Sequence, residues 1–121
     1  EQYRRGDRLF YEWAATVTLM RTTPAENAEL GEIFARKANA ATGPVAFLLP
    51  LRGVSMLDAD GGKFCDRVAD QAFIDALKAN LREDIRVEEI DANINDPQFA
   101  ERAVAMMLEL IRSASAATHS A

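Results

Sequence analysis

Three strand-then-helix units in succession predict an α/β fold with a parallel sheet and right-handed crossovers. Three observations carry that prediction. Short β-branched or apolar runs recur at 16–20, 45–49 and 85–90; prolines at 24 and 97 mark helix starts; apolar stripes of helical period follow each run. Three parallel strands alone leave open edges and a bare face, whereas parallel sheets normally have both faces covered. The expected architecture is therefore a three-layer α/β domain over residues 1–112, with residues 1–15 as an entry segment. Its sheet is expected to be completed by an N-terminal segment of a longer parent or by a partner chain. A chain opening Glu1-Gln2-Tyr3-Arg4, without an initiator Met, fits that expectation.

The first strand, Thr16-Val17-Thr18-Leu19-Met20, is β-branched and alternating. Thr23 as N-cap, Pro24 at the first helical position and Glu26 three residues on form a capping-box signature. The helix that follows carries Leu30, Ile33, Phe34, Ala38 and Ala41 on one face, and Gly43-Pro44 ends it. Val45 to Leu49 is apolar on both faces, the pattern of an interior parallel strand. After a long loop Asp66 caps a second helix, with Ala69, Ala72, Phe73, Ala76, Leu77 and Leu81 facing inward. Ile85 to Ile90 is more polar and belongs nearer an edge. Asp96-Pro97 opens a third helix, whose Phe99, Ala100, Ala103, Val104, Met107, Leu108, Leu110 and Ile111 make a wide apolar surface. Residues 113–121 read as a flexible tail. The aromatic cluster Leu9-Phe10-Tyr11-Glu12-Trp13 reads as packing beneath a neighbouring element.

Composition narrows the function classes. With 49% hydrophobic and 27% charged residues the chain is globular in character, and its apolar runs fall far short of a membrane span. Net charge is -5, from 14 basic and 19 acidic residues, which argues against nucleic acid as a partner; Arg4, Arg5 and Arg8 are too few to change this. One cysteine, Cys65, excludes an internal disulfide and a thiolate-rich zinc site, and fits a reducing, cytoplasmic compartment.

In open α/β sheets ligands collect beyond the carboxyl ends of the strands. Three loops reach that edge, supplying Arg21, Thr22 and Thr23; then Arg52, Gly53, Ser55, Asp58, Gly61 and Gly62; then Asp91, Asn93, Asn95 and Asp96. Each runs into a helix N-terminus, which favours anions, and the two arginines are bidentate donors for phosphate or carboxylate. Residues 50–64 form the longest of these loops, far beyond the ~2–6 residues of an ordinary strand-to-helix link. Helix capping accounts for Thr23, Asp66 and Asp96, and backbone freedom for the glycines. Arg52, Ser55 and Asp58 have no such local explanation. Gly61-Gly62-Lys63 is followed by Phe64, and Leu57 stands where a P-loop needs its first glycine, so no P-loop is present. No dinucleotide fingerprint is present either. Asp91-x-Asn93-x-Asn95 is followed by Asp96 where an EF-hand loop has glycine, and no dedicated metal site is expected. The single histidine, His119, lies far from the sheet cleft, which leaves no Ser–His or Cys–His pair. Any chemistry would fall to Asp58 or Asp91.

Three strings carry a family resemblance: Thr18-Leu19-Met20-Arg21-Thr22; Leu49-Pro50-Leu51-Arg52-Gly53-Val54-Ser55 with Asp58 and Gly61; and Asn93-Ile94-Asn95-Asp96-Pro97 with Phe99. In this order they resemble the C-terminal domain of the Tm-one-like ATP-binding proteins, a largely uncharacterised family with bacterial members and a plant tobamovirus-resistance member. The resemblance implies a longer parent with two Rossmann-like domains, nucleotide binding with ATP and Mg²⁺ as the implied cofactors, and self-association. The N-terminal domain of the parent is then a partner. The expected function is binding of a nucleotide or small organic anion. The alternatives are an enzyme acting on a small phosphorylated or carboxylated substrate through Asp58, and an oligomerisation or protein-interaction domain.

Overall fold

The computed structural model describes Gly6 and residues 8–119, with side chains to residue 117. The pair Arg4-Arg5 lies outside the described residues. The order of elements is β1 (Phe10–Ala14), β2 (Val17–Met20), α1 (Pro24–Asn39), β3 (Ala46–Pro50), α2 (Arg67–Asn80), β4 (Arg86–Ile90) and α3 (Pro97–His119). Among the described residues no helix is long and apolar enough to cross a membrane.

The α/β class stands, but the strands divide into two pairs. β3 and β4 run parallel, with Phe47 beside Val87 and Leu49 beside Glu89, joined through α2 as the strand–helix–strand pattern requires. β1 and β2 form a separate antiparallel hairpin, with Tyr11 opposite Leu19 and Phe10 opposite Met20. This corrects two sequence expectations. The run at 16–20 does not enter the parallel sheet, and the aromatic segment is a strand rather than buried packing material. Ala14 and Val17 close the hairpin with only Ala15 and Thr16 between, so the nearest strand partner for β2 is the chain immediately before it.

Helices lie on both faces of the β3–β4 pair. Ala35, Leu49, Ile74 and Leu77 form a buried cluster, with Phe47, Phe73, Leu81 and Val87 packed against it. Alternation sends Arg86 and Glu88 to the opposite face, where they meet Glu109 and Arg102 of α3 at 2.6 and 2.9 Å. Against that face Met106 is buried.

The first two helices begin where the sequence places them. Thr23 Oγ1 accepts from the Glu26 amide at 3.3 Å while the Glu26 carboxylate accepts from the Thr23 amide at 2.9 Å. Asp66 accepts from the Ala69 amide at 2.9 Å. Of the apolar stripe expected on α1, however, only Ala38 is buried. Asn27, Gly31, Ala35 and Ala38 face inward, because α1 packs closely on α2, while Leu30 and Phe34 remain exposed. α3 also departs from expectation. It continues to His119 through the segment read as a tail, and Ser113 and Ser115 hydroxyls donate back to the Leu110 and Ile111 carbonyls at 2.8 and 3.0 Å.

Candidate functional site

The three loops named from sequence meet at the carboxyl ends of β3 and β4, and Asp58 lies at their centre. Its side chain is 2% exposed. One oxygen accepts from the Val54 amide at 2.9 Å; the other faces Arg21 at 3.2 Å and Arg67 at 3.4 Å. Asp70 joins them, 2.6 Å from Arg21 and 2.7 Å from Arg67. Two guanidinium groups and two carboxylates thus compensate one another, with Arg21, Asp58 and Asp70 enclosed and Arg67 33% exposed at the rim. Burial pushes the Asp58 carboxyl above its ordinary range; the Val54 amide opposes this, and neighbouring Asp70 adds to it.

This cluster fixes the long loop. Arg21 also donates to the Phe64 carbonyl at 3.0 Å, and Arg67 donates to the Arg52 and Asp58 carbonyls at 3.0 and 2.9 Å. Ser55 Oγ accepts from the Asp58 amide at 3.1 Å. Gly53 sits at φ 113°, and a Cβ there would overlap the Asp58 carbonyl oxygen. Loops of this length are tolerated when their backbone groups find partners, and here charged side chains supply them.

The third loop is tied in by Asn93. Its side-chain amide donates to the Arg52 and Ser55 carbonyls at 3.1 and 3.0 Å, and its oxygen accepts from the Asn95 amide at 3.0 Å. Asp96 accepts from the Asn93 amide at 2.8 Å, so its carboxylate caps the turn before α3. Arg52 and Asp91 form a bidentate pair at 2.7 and 3.1 Å, and Arg52 holds the Asp91 carboxyl below its ordinary value. That pair is open to solvent, with Arg52 55% and Asp91 71% exposed. Arg21, at 10%, is enclosed.

Thr22 accepts from Arg21 at 3.4 Å and, with Arg21, Leu30, Leu49, Phe73 and Ile74, lines a cavity of about 270 Å³ beside β3. Gly61 takes φ 76° in open space, and the Gly62 amide donates to Ala59 at 2.8 Å, so both serve the turn before Lys63. Cys65 is a half-buried free thiol. Among the described residues no group of three or more His, Cys, Asp or Glu side chains is placed to hold a metal ion.

Sequence reasoning missed two parts of this region. Arg67 and Asp70 complete the buried cluster; their spacing of three in the first turn of α2 was the available signal. The second is a cleft of about 770 Å³ between the hairpin and the loops after β3 and β4. Trp13, Leu19, Val54, Met56 and Ile94 wall it, with Ser55 and Asn95 as polar groups. Trp13 is 62% exposed and meets Tyr11 edge-on at 6.1 Å; Tyr11 in turn meets Phe64 edge-on at 6.4 Å. Only the hairpin pairing brings Trp13 here.

A family model described as the C-terminal domain of an uncharacterised protein family, UPF0261, matches residues 1–111. A UPF0261 protein of Rhizobium meliloti (strain 1021) is 49% identical over 104 residues, covering 84% of this chain and 26% of that protein. One from Clostridium tetani (strain Massachusetts / E88) is 40% identical over 112 residues, with 92% and 26% covered. The ToMV resistance protein Tm-1(GCR237) of Solanum lycopersicum is 37% identical over 105 residues, with 85% and 14% covered. The chain spans about a quarter of the length of these bacterial relatives.

Proposed function

The chain belongs to the UPF0261 family, and on that footing we propose that it forms part of a site for a small anionic organic ligand of the nucleotide class. The observation that carries this reading is the cleft against Trp13 at the carboxyl ends of two parallel strands. An apolar, aromatic-walled cleft with a few polar groups suits a flat ring. Ser55 and Asn95 are the hydrogen-bonding groups on its wall. Arg52, on the same loop as Ser55 and exposed with Asp91, can exchange a solvent-facing partner for a phosphate or carboxylate at little desolvation cost.

Arg21 and Asp58 take a different part in this reading. Each is already satisfied by buried partners, and drawing either to a ligand would strand a charge. They hold the loop that presents Gly53, Val54, Ser55 and Met56. Asp58 is accordingly poorly suited to act as an acid or base on a substrate. If ATP is the ligand, no group of three or more acidic, His or Cys side chains among the described residues is placed to hold Mg²⁺, which would ride on the phosphates.

The same reading includes a Rossmann-like three-layer domain in a longer, self-associating cytoplasmic protein. Titration calorimetry of the full-length protein against a panel of nucleotides and small organic phosphates and carboxylates tests the ligand. Wild type should bind one class, Trp13→Ala should weaken it about tenfold or more through lost ring contact, and Arg52→Ala should lower affinity while reducing its salt dependence. Equal affinity of all three proteins for every compound that binds, or no binding at all, rejects the proposal.

A further inference from the structure

Among the described residues β3 pairs with β4 on one edge and has no ladder partner on the other. The Leu51 amide donates to the Ile90 carbonyl at 2.8 Å, so residue 51 turns its polar groups toward β4. By alternation those of Ala46, Leu48 and Pro50 point to the free edge, with N–H donors only at Ala46 and Leu48.

Apolar walls rise on both sides of that edge. On one face, the cavity of about 270 Å³ opens between β3 and the first two helices, walled by Leu30, Leu49, Phe73 and Ile74. α1 packs mainly on α2, meeting Leu49 of β3 through Ala35, and leaves Leu30 and Phe34 exposed. On the other face, Arg102 and Glu109 hold the polar flank of α3 over β4, and Met106 turns to the sheet. At about 100° per residue, Leu110, Ala103 and then Met107 come round on the flank opposite Arg102 and Glu109, on the β3 side toward its free edge, while Val104 and Ile111 turn away from the sheet. Met107 is 57% exposed.

We propose that the free edge of β3 seats a β-strand from another part of the same longer polypeptide, apolar on both faces and held between α1 and α3. The bacterial relatives are about four times as long as the matched segment, so the polypeptide has ample chain to supply it. A strand there continues the hydrogen bonding of Leu48, fills the cavity beneath Leu30, and covers Met107. Both of its faces meet apolar walls, so it takes continuous Val, Ile or Leu rather than alternating residues. This deepens the three-layer part of the reading above and is independent of the ligand.

Two measurements on the wild-type full-length protein test it. The first is hydrogen peroxide oxidation of Met107, followed by peptide mass spectrometry across a hundredfold or so range of protein concentration. Met107 should oxidise about tenfold or more slowly relative to the guanidinium-unfolded protein, at every concentration. The second is amide hydrogen exchange at Leu48, which should be slow. A Met107 rate close to that of the unfolded protein, or a freely exchanging Leu48, overturns the proposal. Protection that disappears as the protein is diluted to monomers assigns the edge to a second copy and overturns it equally. Calorimetry with ligand is unaffected by either failure, so the two readings fall separately.

Discussion

Asp58 stands out in the sequence, and the structure gives it partners that no local pattern names. Neither capping nor an apolar stripe explains it, and a ligand role follows naturally from a carboxylate in a glycine-rich loop. In three dimensions its oxygens are met by Val54, Arg21 and Arg67. The partner arginines come from 37 residues upstream and nine downstream, and no local rule pairs them. Asp58→Ala would leave both arginines short of a carboxylate in an enclosed site. Loss of about 3 kcal/mol is expected in urea unfolding, typical of breaking a buried pair. A change near zero would mean that water reaches the cluster. Arg52 differs: it is 55% exposed and its partner Asp91 lies 39 residues downstream, a pairing that no local pattern in the sequence names.

The helix starts are the most legible elements, because caps are contacts within three residues of one another. Thr23 and Asp66 behave as their sequence patterns require. Faces are harder. α1 turns Gly31 and Ala35 inward although Leu30 and Phe34 are larger, because a close helix–helix contact selects small residues. A Cβ on Gly31 would stand 2.9 Å from that of Ala76 and close to the Phe73 carbonyl. Gly31→Ala therefore sets a helix-propensity gain of about 1 kcal/mol against an overpacking loss of about 1–3 kcal/mol. Net destabilisation is expected in thermal melting of the full-length protein, whereas a higher Tm would show that α1 can move off α2. The hairpin is the element sequence reasoning misplaced. Its β-propensity was evident at 16–20, but propensity specifies a strand and not its neighbour.

For the molecule as a whole, charge pairs on the outer faces set the response to acid. Arg8 draws the Glu26 carboxyl to about 2, and Arg102 with Arg86 draws Glu88 to about 2, against an ordinary 4.5. Lowered folded-state values mean that the unfolded chain binds more protons in this window. The stabilisation is complete above pH about 4.5 and lost as pH falls toward 2. Asp58 runs the other way, since its value is raised and the folded state takes up its proton first. The Tm of the full-length protein should drop across that window, and Glu88→Gln should make the drop shallower. An unchanged slope would mean that the Glu88 pairs contribute nothing. The resemblance to the Tm-one-like proteins, carried by three loop strings, is matched by the UPF0261 family model and by similarity to the tomato protein. Sequence by itself determined the α/β class, the caps of α1 and α2, the parallel strand pair and the family, because each rests on local periodicity or on short strings. Only the tertiary structure decided that the hairpin stands apart, that Arg21 and Asp58 spend their charge on one another, that Trp13 overlooks a cleft, and that one edge of β3 has no strand partner among the described residues. These depend on which distant groups meet out of water, where desolvation and close packing decide the partners and the residue-by-residue pattern leaves them open.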